Sequence, residues 1–130
     1  MADNTERSIT PNSAPADFVA GYTECALWSS LGPDGSPLDE SFELSDICPD
    51  TLAEMVADCD EFCEAWGHVM AETEGSDSQH GHDFWLTRNG HGAGFWDRGY
   101  GKAGETLSKW AKAAGSYDLW PTDAGQIVGN

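Results

Sequence analysis

Two groups of residues in this chain have the types and spacing to do chemistry. The first is the run Gln-His-Gly-His-Asp-Phe-Trp-Leu-Thr-Arg-Asn-Gly-His-Gly-Ala-Gly-Phe-Trp-Asp-Arg-Gly-Tyr at 79–100. It concentrates His80, His82, His91, Arg88, Arg98, Asp83 and Asp97. A functional reading places His82, Asp83, His91 and Asp97 around a metal or a substrate. The glycines would then expose backbone N–H groups as an anion-binding nest, with Arg88 alongside. A structural reading explains the same residues more simply. Glycines are what a tight hairpin loop requires, and Asp83 or Asp97 can pair with Arg88 or Arg98 across the strands. No HExxH, P-loop, GxSxG or GxGxxG pattern is present. The expectation is therefore no enzyme, with no catalytic residue, metal ligand or cofactor assigned. A small enzyme or ligand-binding protein with a His/Asp/Arg site on the glycine loop stays as the alternative.

The second group is made of carboxylates. From Ser8 to Thr87 there is no lysine or arginine, against 17 aspartates and glutamates, whereas Arg88–Asn130 holds five basic and four acidic residues. Nearly all of the net charge of −17 thus lies in one contiguous stretch. Such a field repels nucleic acid and anionic membrane and steers basic surfaces inward. Asp50, Glu54, Asp58 and Glu61 share one face of a predicted helix, about 6 Å apart along its axis. That spacing is comparable to the phosphates of a nucleic-acid strand, so the row can occupy a groove built for DNA or RNA. A merely solvated helix face is the competing explanation. With Asp39, Glu40, Glu43 and Glu64, and with Arg88 and His91 from the loop, these form the expected partner-binding set. The expected partner is a basic protein surface, with no direct nucleic acid and no membrane.

At 130 residues the natural count is one domain. Residues 1–14, rich in Asn, Ser, Thr and Pro, read as a flexible tail, and 15–130 as a single acidic domain. The six tryptophans and 39% hydrophobic content are too much for a disordered acidic chain. No apolar run approaches the ~20 residues that span a bilayer. The polar N-terminus lacks a signal pattern, which points to the cytoplasm. Cys25, Cys48, Cys59 and Cys63 are then thiols, the last two on the apolar side of a helix.

The elements follow from periodicity. Phe18, Tyr22, Cys25 and Trp28 give a helix over about 15–30, and residues 32–41 a loop. Pro49 opens a long helix whose apolar stripe runs Leu52, Met55, Val56, Cys59, Phe62, Cys63, Trp66, Val69 and Met70, fraying before Gly75. Residues 73–81 read as a polar connection. Residues 82–87 and 95–98 read as two strands of a β-hairpin closed by the glycine loop, since Asn-Gly is a strong turn signal. Phe84, Trp85, Phe95, Trp96, Trp110 and Trp120 are expected in the core. Residues 101–114 form a further helix stopped by Gly115. A second hairpin joins 117–120 to 126–128. The expected class is α+β: two acidic N-terminal helices, then a hairpin, a helix and a short C-terminal hairpin in a small antiparallel sheet. The long apolar stripe leaves a homodimer open.

The stretch His82–Gly99 resembles a motif of small, largely uncharacterised proteins of bacteriophages and mobile elements. The likeness is specific over about 20 residues and extends weakly through Leu107, Ala111, Gly115 and Tyr117, without touching the acidic helices. It implies a phage or mobile-element setting, in which small acidic proteins are often inhibitors of host defence nucleases that imitate DNA (anti-CRISPR and anti-restriction proteins). The resulting expectation is a non-enzymatic inhibitor that occupies the basic nucleic-acid channel of a host defence complex. A virion or scaffold component, its charge serving solubility, is a third reading.

Overall fold

The computed structural model describes residues 13–91 and 93–130. Among them are four helices, α1 (Ala16–Ser29), α2 (Pro49–Met70), α3 (Asp77–Arg88) and α4 (Lys102–Ala113). Strands β1 (Leu119–Pro121) and β2 (Ile127–Gly129) pair antiparallel, with Trp120 opposite Val128. Short 3₁₀ turns occupy Leu38–Glu40, Leu44–Asp46 and Phe95–Asp97. The class is α+β, as expected, and α1, α2, α4 and the C-terminal hairpin lie close to the predicted ranges.

The main correction concerns the first hairpin. Residues 82–88 are helical, within α3, and 95–97 form a 3₁₀ turn. The helix begins inside the expected connection 73–81. Ser76 caps it, its Oγ accepting from the Gln79 N–H at 3.1 Å. It ends in a Schellman motif: the Gly90 N–H reaches the Thr87 carbonyl, and the His91 N–H the Leu86 carbonyl at 3.0 Å. Gly90 supplies the left-handed residue, at φ 74°. Asn89-Gly90 is thus a helix stop and not a hairpin turn.

α3 is central. His80, Gly81 and every residue from Asp83 to Arg88 are buried, which leaves no polar stripe to reveal a helical period. Two glycines allow α1 to lie directly against it. A Cβ at Gly81 would overlap the Phe18 carbonyl, and one at Gly21 the Ser78 carbonyl. Around this crossing Phe62 stacks on Phe84 (centroids 4.2 Å apart), and Tyr22 meets Trp85 edge-on at 5.4 Å. Phe18 and Phe95 complete the aromatic core.

α2 closes another side. Met55, Cys59, Phe62, Cys63 and Met70 are buried in the chain's own core, while Leu52 is exposed and Val56, Trp66 and Val69 are half-buried. Most of the stripe that left a homodimer open is covered by the chain's own core. The C-terminal hairpin is fastened to the start of α2, where the Cys48 N–H donates to the Ile127 carbonyl at 2.8 Å. Of the expected tail, residues 1–12 lie outside the described residues. Ser13 and Ala14 lie against α2: the Ser13 hydroxyl donates to Glu64 and the buried Ala14 N–H to Asp60. No helix among the described residues is long and apolar enough to cross a membrane.

Candidate partner-binding surface

The histidine, aspartate and arginine residues of 80–98 do not form one site. Asp83 is fully buried and grips Arg98, whose Nε lies 3.1 and 3.0 Å from its two oxygens and whose Nη2 lies 2.7 Å from Oδ1. That pair realises the expected Asp–Arg contact, between a helix and a 3₁₀ turn instead of two strands. The hydrogen bonds that Arg98 donates to Asp83 hold its guanidinium protonated beyond its usual range.

Arg88 faces the interior and is only 7% exposed. Its Nη1 donates to Tyr22 Oη and to Asp58 Oδ2, each at 2.9 Å. Its Nε and Nη2 reach the Gly115 and Ala114 carbonyls at 2.6 and 3.2 Å. Burial works against its charge, but Tyr22 and Asp58 more than offset that and raise its pKa. The guanidinium thus ties α1, α2 and α3 to the negative end of α4. The expectation that Arg88 serves an anion nest or a partner is corrected: its donors are used inside the fold. His91 and Asp97 are exposed, away from this network. His80 is buried, its Nε2 2.8 Å from Thr73 Oγ1, and burial lowers its pKa.

The thiols are structural in character. Burial pushes Cys25 up to about 12, with Asp83 adding to it, and Cys63 likewise to about 12, with Asp60 adding. Cys59 is raised further by burial. Such groups are poor nucleophiles and poor ligands. No cluster of three or more His, Cys, Asp or Glu suited to a metal occurs among the described residues.

The carboxylates divide into two regions. On α2, Asp50, Glu54, Glu61 and Glu64 are exposed, and helical geometry spreads them over about 21 Å of one face. Asp58, predicted in the same row, is one-third exposed and held by Arg88. Glu54 accepts the Tyr117 hydroxyl at 2.7 Å, which ties this carboxylate to the C-terminal segment. The second region is the segment before α2, where Asp39, Glu40 and Glu43 are all exposed. Asp39 and Glu43 rim a groove of about 590 Å³ whose opposite wall is α1, with Glu24 and Trp28, and α3, with His82.

Sequence reasoning missed Glu24, Trp28 and His82 as neighbours of Asp39. It also placed Trp96, Trp110 and Trp120 in the core, and Trp28 on an inward stripe. These four tryptophans are instead 41–55% exposed. Trp110 stacks on Trp66 at 5.4 Å, under Lys109. Phe84, Trp85 and Phe95 are buried as expected.

No protein-family model, no curated protein and no solved structure matches this chain.

Proposed function

We propose that this chain is a non-enzymatic, phage-type inhibitor that binds the basic nucleic-acid-binding surface of a host defence complex. The observation that carries this reading is the 80-residue stretch without lysine or arginine, together with the outward placement of Asp50, Glu54, Glu61 and Glu64 on α2 and of Asp39, Glu40 and Glu43 before it. A long helix held by its apolar side presents Asp50, Glu54, Glu61 and Glu64 as a rigid row, so little ordering entropy is lost on binding. The row competes for the same basic groove that a phosphate backbone fills. The phage setting rests on the likeness of 82–99 to mobile-element proteins and supplies the class of partner. An active site on the glycine segment draws no support from Asp83 and Arg88, which are committed to separate internal networks.

The test is capture from host lysate by the tagged chain at low and high salt, with duplex DNA as competitor. A nucleic-acid-binding protein should be retained at low salt and released by DNA. Changing Asp50 to Asn and Glu54, Glu61 and Glu64 to Gln should abolish retention. The amides keep oxygen acceptors for Tyr117 and Ser13, so the fold is spared. Retention unchanged by the fourfold substitution would sink the mimicry.

A further inference from the structure

We infer that the groove between α1 and residues 39–44 is an anchor for a single arginine side chain of the basic partner. This rests on the proposed function and gives it a specific point of attachment. The groove combines an apolar floor with a carboxylate rim. Leu27 and Phe42 offer surface to the methylenes of a long side chain, and Glu24, Asp39 and Glu43 stand around the opening. Trp28, 54% exposed, presents its indole there, tilted by 35° against the His82 ring at 5.9 Å. His82 Nδ1 is buried without a hydrogen-bond partner.

Charge complementarity selects the occupant. Among the described residues three carboxylates and no lysine or arginine line the opening, so a phosphate or a nucleobase-bearing strand is repelled. A purely aliphatic segment would cover those carboxylates without pairing them, which costs free energy. An ammonium or guanidinium meets both the charge and the exposed aromatic face. Arginine fits better than lysine. Its flat, weakly hydrated guanidinium lies on an indole while its N–H fork donates to carboxylates at the rim. Among the described residues the side chains of Glu24 and Asp39 make no hydrogen bond or ion pair, which leaves both carboxylates to an incoming cation.

The experiment titrates the full chain with acetyl-Gly-Gly-Arg-Gly-Gly-amide and follows the six indole N–H resonances by NMR, with Trp28→Phe assigning the Trp28 signal. The Trp28 indole should shift saturably while Trp96, Trp110 and Trp120 stay in place. The citrulline peptide, isosteric but neutral, should leave Trp28 unmoved. Glu24→Gln with Asp39→Asn should weaken the arginine peptide about tenfold with the rest of the spectrum intact. A motionless Trp28, an equal response to citrulline, or equal shifts at all exposed tryptophans would overturn the anchor. If DNA-displaceable capture of a basic partner persists while Trp28 ignores the peptide, the groove assignment fails and the wider reading stands. If Trp28 responds but no such partner is captured, the wider reading fails alone.

Discussion

Replacing Arg88 by methionine tests whether this arginine holds the fold or meets a partner. Methionine keeps the length of the stem and much of its contact with Phe84 and Tyr117, whose rings lie 5.5 and 5.6 Å from the guanidinium carbon. The losses differ by site. Tyr22 is fully buried and would lose the donor to its hydroxyl, at about 1–3 kcal/mol. The bond to Asp58 contributes at most about 1 kcal/mol, because that carboxylate is one-third exposed and can be rehydrated. The Ala114 and Gly115 carbonyls sit on exposed residues and water can replace the arginine there, for roughly 0.5 kcal/mol each. The sum is about 3 kcal/mol, or a fall in Tm of roughly 12 °C for a domain of this size. Urea and thermal unfolding of the variant measure it. Arg88→Lys should recover part of the loss, since an ammonium meets fewer of the four acceptors at once. Adding Tyr22→Phe to Arg88→Met should restore some stability by removing the orphaned hydroxyl. An Arg88→Met protein within 0.5 kcal/mol of the parent, the resolution expected for an unremarkable surface change, would refute the network. A folded variant that loses partner capture while the α2 carboxylates prove dispensable would return Arg88 to the interface.

Three further outcomes follow from the packing. Gly81→Ala improves helix propensity by up to about 1 kcal/mol, yet it must push α1 away from α3, a strain of about 1–3 kcal/mol. A net loss in urea unfolding is expected, and a gain would show that the two helices do not touch there. Burial lowers the His80 pKa, so the unfolded chain takes up that proton first as pH falls. The stabilisation is complete above the ordinary histidine value near 6.5 and is lost below it. Stability differences between the parent and His80→Gln at pH 7.5 and 5.5 isolate this from the many carboxylates, and an identical difference at both would rule it out. Finally, a thiol reagent at pH 8 should modify only half-buried Cys48 in the native chain, with Cys25, Cys59 and Cys63 reacting after denaturation. Rapid labelling of all four would contradict their burial.

How much was legible depended on whether an element has two unlike faces. α2 was readable because its apolar stripe is buried and its other face is charged, so the 3.6-residue period survives in the sequence. α4 was readable through Leu107 and Ala111 for the same reason. α3 was not, because buried residues surround it and its aromatic run imitates a strand. Its start was written as Ser76-Asp77-Ser78-Gln79, a capping-box pattern, and its end as Asn89-Gly90, which serves a helix stop as well as a hairpin. Trp28 was misplaced because helical spacing brackets a stripe but does not say where the neighbouring elements end.

By itself the sequence determined the charge asymmetry, the α+β class, three of the four described helices and the C-terminal hairpin, since each rests on local composition or period. Only the tertiary structure decided which charged groups face outward. Arg88 and Asp58 lie 30 positions apart and Asp83 and Arg98 15 apart, and only folding brings each pair together. The same packing set Glu24 and Trp28 of one helix opposite Asp39 and Glu43 across a groove. Contacts across such distances depend on how helices cross, and here two glycines let α1 and α3 approach closely enough to fix that crossing.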